Sequence, residues 1–220
     1  MKYRPLIVGF VLSAVAFSAF GEPQNLVTAK KNIEHYVSSG QYNDDIAHQY
    51  TKAHAYLAKR IKENKAHGNN KKLAVVFDVD ETTLSNYPYM LKKHFCASAK
   101  QFDRVANEGH EKAIPAALKF YRYLQKNKIT PFFITGRLKY MKSATAHNLN
   151  KVGYTHYRAL SLRSKNDRRK SVTPFKVTQR KKIEAQGYDI VLTIGDQYSD
   201  LNGGYADKRI KLPDPFYYIP

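Results

Sequence analysis

The chain has 220 residues, with 37 Lys+Arg against 18 Asp+Glu, a formal net charge of +19, one cysteine and no tryptophan. A hydrophobic content of 43% with 13% aromatics excludes the disordered and collagen-like classes and suffices for a sizeable core in one domain with at most a small appendage. The lone Cys96 excludes an intramolecular disulfide and any multi-cysteine zinc or iron–sulfur centre.

Residues 1–21 are written differently from the rest. Lys2 and Arg4 precede an apolar run, Leu6 to Phe20, of 15 residues, shorter than the roughly 20 that a membrane span needs. Ala19-Phe20-Gly21 supplies small residues for cleavage after Gly21. This is the grammar of a secretory signal, and no cysteine follows it to carry a lipid anchor. The expected mature chain is 22–220, exported to the periplasm or secreted, with no transmembrane anchor left.

Further along, Gln24 to Gly40 and Asn43 to His67 read as helices. In the second, Ile46, Tyr50, His54, Leu57 and Ile61 recur at spacings of three and four, with Asn43 or Asp44 as cap. Together they make an N-terminal helical segment, 22–70. Leu73 to Phe77 is an unalternating apolar run, as expected of a strand buried on both faces. Leu84 to Gly109 is aromatic and less regular, and is expected to fold over a sheet edge with the N-terminal helices. Pro115 opens a helix through Leu124, Ile129 to Ile134 reads as a strand, and Leu138 to Lys151 as a helix closed by Gly153. Tyr157 to Leu162, Ile190 to Ile194 and Arg209 to Leu212 read as strands, with a helix from Pro174 to Gln186 between the first two. The alternation of strand and helix predicts an α/β fold, a doubly wound, Rossmann-like parallel sheet covered on both faces.

In such sheets ligands sit beyond the carboxyl ends of the strands. Three predicted strands deliver reactive groups there: Asp78 and Asp80 after the first, Thr135-Gly136-Arg137 after the second, and Gly195-Asp196 with Asp200 after the fourth. So many carboxylates in one crevice raise one another's pKa values unless a cation neutralises them. An all-oxygen donor set suits Mg²⁺. An aspartate beside such an ion can act as the nucleophile in phosphoryl transfer while its neighbour handles protons.

The combination Asp78-x-Asp80-x-Thr82, Thr135-Gly-Arg, a later lysine and Gly195-Asp196-x-x-x-Asp200 resembles the four motifs of the haloacid dehalogenase (HAD) superfamily. Val76 to Thr82, Leu84-Ser-Asn-Tyr-Pro, Ile194 to Leu201 and Lys211 to Ile219 are similar, more narrowly, to the secreted acid phosphatases with four aspartates. That group includes vegetative storage proteins and bacterial class B-type enzymes. The resemblance spans residues 25 to 219 and implies a HAD-type core over 71–220 with a small helical, cap-like segment at 84–112. It implies Asp78 as nucleophile and Mg²⁺ ligand, and Asp80 as acid and base, with its main-chain carbonyl on the metal. Asp196 and Asp200 would complete the metal site, and Thr135, Gly136 and Lys176 would bind the substrate phosphate. Lys176 follows Thr173-Pro-Phe at a helix start, with Lys165 and Lys170 as substitutes.

The implied activity is hydrolysis of small phosphate monoesters at acidic pH through an aspartyl-phosphate. The alternatives are a narrow 5′-nucleotidase, or a storage or polyanion-binding protein on the same fold. Asn86, Tyr87 and Tyr89 are candidates for the leaving-group pocket or for simple packing. His94, His110 and Cys96 carry nothing that marks them as catalytic. From Arg158 to Lys182 ten basic residues stand against one acid, Asp167. That is a solvated face, a steering surface for phosphorylated substrates, or a polyanion-binding surface. Without a recognised nucleic-acid motif, nucleic acid ranks well below catalysis. The physiological ester and the oligomeric state stay open.

Overall fold

The computed structural model describes residues 22–68, 71–167 and 171–219. The signal-like segment 1–21 lies outside the described residues, as do Arg168, Arg169 and Lys170 of the basic stretch.

Two helices come first, α1 (Leu26–Ser38) and α2 (Gln41–Ala66). Asn25 caps α1, its Oδ1 accepting from Val27 N at 2.9 Å. The cap of α2 is not Asn43 or Asp44 but Gly40, whose φ of 90° reverses the chain directly into the helix. Lacking a Cβ, glycine takes that conformation without strain, so the helix starts earlier than its polar residues suggest.

A five-stranded sheet follows, built from β1 (Lys72–Phe77), β4 (Thr130–Leu138), β5 (Ala159–Arg163), β6 (Tyr188–Gly195) and β7 (Lys208–Lys211). Its order is β5-β4-β1-β6-β7, and every pairing is parallel. Helices α5 (Pro115–Lys126), α6 (Lys142–Lys151) and α7 (Thr173–Ala185) lie between successive strands, and the short α8 (Tyr198–Leu201) follows β6. The predicted doubly wound α/β sheet is therefore what the chain forms.

Side chains alternate across the sheet. Val75, Phe77, Phe133 and Ile194 meet Leu57, Phe120, Leu124 and Leu149 from α2, α5 and α6 on one face. Ala74, Val76, Phe132 and Ile134 meet Phe175 and Ile183 of α7 on the other. Helix α2 thus covers a face of the sheet rather than an edge, packing on α5, β6 and β7. β4 runs past Ile134 to Leu138, because its pairing with β5 resumes at Leu138↔Arg163 after an irregularity. The following helix accordingly starts late, preceded by a 3₁₀ turn at Lys139–Met141.

The insertion between β1 and α5 is more regular than its composition suggests. It leaves and returns through the antiparallel pair β2 (Leu84–Ser85) and β3 (Lys112–Ala113). Between them lie α3 (Tyr87–Lys92) and α4 (Ala99–Glu108). Ser98 and Gln101 form a reciprocal capping box on α4, and Gly109 closes it in the left-handed region.

Candidate active site

The register brings three strand ends level. Phe77 stands opposite Phe133 of β4 and Ile194 of β6, so the residues that follow each emerge side by side. Asp78 N donates to Ile194 O at 3.0 Å. Asp78, Asp196 and Asp200 are buried and each offers a carboxylate oxygen within 4.8 Å of the others. Lys176, only 5% exposed, reaches them from α7. Its Nζ donates to Asp78 Oδ1 at 2.7 Å and pairs with Asp200 Oδ1. Lys165, the substitute among the described residues, is exposed.

Burial dominates the electrostatics of this cluster. It pushes the Asp78 carboxyl up to about 7, with Lys176 opposing and the charges of Asp200 and Asp80 adding to the rise. Asp196 is driven well above the carboxylate range by burial and by Asp200 and Asp78. Burial alone would lower Lys176, but Asp200 and Asp78 outweigh it and raise the ammonium. When ionised, the three carboxylates outnumber the one ammonium, and a cation among them would relieve the repulsion that raises Asp78 and Asp196. An all-oxygen donor set of that charge fits a hard divalent cation.

Neighbours fix these carboxylates. Thr82 Oγ1 donates to Asp196 Oδ1 at 3.0 Å, and Gln197 Nε2 donates to Asp196 Oδ2 at 2.7 Å and to Asp214 Oδ2 at 2.6 Å. Gln197 N donates to Asp200 Oδ2 at 2.9 Å. The Arg180 guanidinium donates to Asp200 O at 2.7 Å and Gly204 O at 2.9 Å. Gly195 is needed for close approach, because a Cβ there would overlap the Asp200 side chain. The turn after Asp78 is pinned from two directions: Tyr50 of α2 donates to Thr82 O at 2.8 Å, and Tyr154 to Thr83 O at 3.0 Å. Within it Glu81 has a φ of 49°, and its carboxylate accepts from Asn86 N at 2.6 Å.

Asp80 faces elsewhere. Its carboxylate accepts from Arg137 Nη2 at 2.7 Å and Nε at 3.0 Å, and from Asn86 Nδ2 at 2.9 Å. Burial would raise its pKa, yet Arg137 and Asn86 hold it below the usual value. Arg137 is thus a carboxylate partner, and Thr135 Oγ1, fully buried, accepts from Arg137 N at 3.2 Å.

A cavity of about 400 Å³ opens over these groups. Asp78, Asp80, Gly136, Lys176 and Asp196 lie in its wall, with Met90 and Phe102 from the insertion and Tyr217 and Tyr218 from the C-terminal segment opposite. Of the three pocket candidates, Asn86 acts on Asp80. Tyr87 packs on Phe216, with ring centroids 5.4 Å apart, and Tyr89 packs against the main core. The basic stretch is not one face, since Lys176 and Arg180 are buried. Gln197, Asp214, Arg180, Phe102 and Tyr217 join the site only through the fold. Gln197 carries a local signal in its adjacency to Asp196, and Asp214 and Tyr217 lie in the Lys211 to Ile219 segment that resembles the acid phosphatases.

Residues 18–220 match the family described as HAD superfamily, subfamily IIIB (Acid phosphatase). The Stem 28 kDa glycoprotein of Glycine max is 34% identical over 218 residues, 94% of this chain and 82% of its own. Acid phosphatase 1 of Solanum lycopersicum is 36% identical over 66% of this chain, which spans 58% of that relative. Among solved structures, the class C acid phosphatase from Bacillus anthracis superposes with a TM-score of 0.67 at 25% identity, over 88% of this chain and 85% of that one. The chain belongs to the HAD subfamily IIIB acid phosphatases. Its reaction class is phosphoric monoester hydrolysis.

Proposed function

We propose that the protein is an exported, Mg²⁺-dependent acid phosphatase that hydrolyses small phosphate monoesters through a phosphorylated Asp78. The observation that carries this is the buried cluster Asp78–Asp196–Asp200 with Lys176 at the floor of a cavity. Asp78, Asp196 and Asp200, with the Asp80 carbonyl, would hold Mg²⁺, whose charge offsets that of the phosphoryl oxygens. Lys176 and the main chain at Gly136, both in the cavity wall, bind the phosphate, and Thr135, buried just behind Gly136, would reach it only through its hydroxyl. An Asp78 oxygen attacks phosphorus, the ester P–O bond breaks, and the departing oxygen takes a proton from Asp80, which enters the step in the protonated form that acidic pH favours against the pull of Arg137 and Asn86. Asp80 then withdraws a proton from water, whose oxygen attacks the same phosphorus and frees Asp78 and inorganic phosphate.

Met90, Phe102 and the tyrosines of the C-terminal segment form an apolar wall suited to the organic part of the ester. The signal-like residues 1–21 support export. No helix among the described residues is long and apolar enough to cross a membrane. An acidic optimum follows the family. A storage role is the second reading, favoured by Vegetative storage protein 2 of Arabidopsis thaliana, 32% identical over 66% of this chain.

Hydrolysis of p-nitrophenyl phosphate by residues 22–220, with Mg²⁺ and with chelator, beside Asp78→Asn, tests the reading. Turnover that needs the ion, peaks below neutral pH and vanishes in the variant is expected. A folded, Mg²⁺-supplemented wild type without activity towards this ester or a 5′-nucleotide would leave the storage role. Activity confined to the nucleotide would make the protein a nucleotidase.

A further inference from the structure

Arg137 stands between two carboxylates. Towards the cavity it grips Asp80 through Nε and Nη2. Behind, Nη2 also donates to Glu111 Oε1 at 2.8 Å, while Nη1 donates to Thr145 Oγ1 at 3.2 Å and to Ala106 O at 3.4 Å. The side chains of Arg137 and Glu111 are 2% and 4% exposed. Glu111 is itself immobilised: its carbonyl accepts from Asn148 Nδ2 of α6 at 3.0 Å, and the next residue begins β3. One guanidinium therefore ties Asp80 to α4, to the entrance of β3 and to α6.

A buried ionic array of this kind contributes little net stability compared with apolar packing. Here Glu111 Oε2 is buried without a hydrogen-bond partner, which further costs stability. What the array does supply is direction. An arginine held only by Asp80 could pivot about that contact. Glu111 and Thr145 on its far side fix the plane of the fork, and with it the plane of the Asp80 carboxylate.

We propose that Glu111 is a positioning residue: acting through Arg137, it aims the Asp80 carboxyl at the leaving-group oxygen. The proposal rests on the reading of Asp80 as acid and base. It differs from a structural role in one observable. An alkoxide leaves only when protonated, whereas p-nitrophenolate leaves without help. Mis-aiming Asp80 therefore slows hydrolysis of an alkyl phosphate and spares the nitrophenyl ester.

The test measures kcat/KM, which reports every step through departure of the leaving group, for glycerol 2-phosphate and p-nitrophenyl phosphate. Wild type, Glu111→Ala, Glu111→Gln and Asp80→Asn are compared with Mg²⁺ present. A misplacement of the order of 1 Å can cost about 100-fold. Glu111→Ala should accordingly lower the glycerol phosphate value by roughly 10- to 100-fold and the nitrophenyl value by less than about 3-fold. Glu111→Gln, whose amide oxygen still accepts from Arg137, should restore most of the loss. Asp80→Asn should show the same discrimination, more strongly. Discrimination in Asp80→Asn with equal losses, or none, in Glu111→Ala overturns the proposal and leaves the role of Asp80 intact. No discrimination in either variant overturns both. If Glu111→Ala does not fold, Arg137→Lys, which keeps the charge and loses the fork, must discriminate between the esters. Equal losses there overturn the proposal.

Discussion

Replacing Gly195 by alanine adds one methyl group and removes no functional atom, so Gly195→Ala isolates the geometry of the site. The glycine is not there for its backbone freedom, since it is absent from the positions with positive φ. It is there because Asp200 lies against it: a Cβ would overlap the Asp200 Cβ, Cγ and Oδ2. None of those atoms can swing aside freely. Oδ2 accepts from Gln197 N, Oδ1 pairs with Lys176, and the Asp200 carbonyl accepts from Arg180 and Thr193. Nor can β6 retreat, because Gly195 O accepts from Leu212 N of the chain leaving β7. Overpacking at such a point costs about 1–3 kcal/mol. For a protein of this size, at about 2–4 °C per kcal/mol, that lowers Tm by roughly 2–12 °C. Displacing the Asp200 carboxylate by about 1 Å should reduce turnover roughly 100-fold and raise the Mg²⁺ concentration needed for half-maximal rate. Thermal unfolding followed by circular dichroism, with p-nitrophenyl phosphate hydrolysis over a Mg²⁺ titration, measures all three. A variant with wild-type Tm and wild-type Mg²⁺ response would refute the close-approach argument and the place of Asp200 in the ion site.

Two further outcomes follow from the same cluster. Lys176→Met leaves Asp78 and Asp200 buried without their shared ammonium, a loss of about 3–5 kcal/mol that should lower the metal-free Tm by roughly 6–20 °C. Millimolar Mg²⁺ should recover part of it, and an unchanged Tm in the thermal melt would contradict the buried pairing. In the wild type, Mg²⁺ at 100 times its Kd should add about 2.7 kcal/mol, raising Tm by roughly 5–11 °C. Asp196→Asn should abolish most of that rise, and a calorimetric scan with and without chelator measures both.

Much of this protein was legible in its sequence because the relevant physics is local. Runs such as Leu73–Phe77 and Ile190–Ile194 are short and apolar without alternation, as strands of a sheet covered on both faces are. Pro115 and Gly153 mark a helix start and a helix end. Asp78, Lys176, Asp196 and Asp200 follow strands or open a helix in an order that already points to one crevice, and the fold brings their side chains together. Where the local signal was ambiguous the boundaries slipped. Gly40 starts α2 before its polar residues do, and β4 outlasts its apolar run because a neighbouring strand keeps pairing with it.

Only the tertiary structure decided who holds whom. Glu111 lies 26 residues from Arg137 along the chain, Tyr50 lies 32 from Thr82, and Gln197 lies 17 from Asp214. No periodicity or motif encodes these contacts, because each depends on where separate elements come to rest. The same holds for Asp80, which the motif groups with Asp78 but the fold turns towards Arg137 and Asn86. It holds too for Tyr87, whose ring the fold commits to Phe216 rather than to the cavity. Local sequence sets which elements form and which residues stand at their ends. The direction of a side chain beyond that end is set by packing and by long-range hydrogen bonds, and those exist only once the chain has closed on itself.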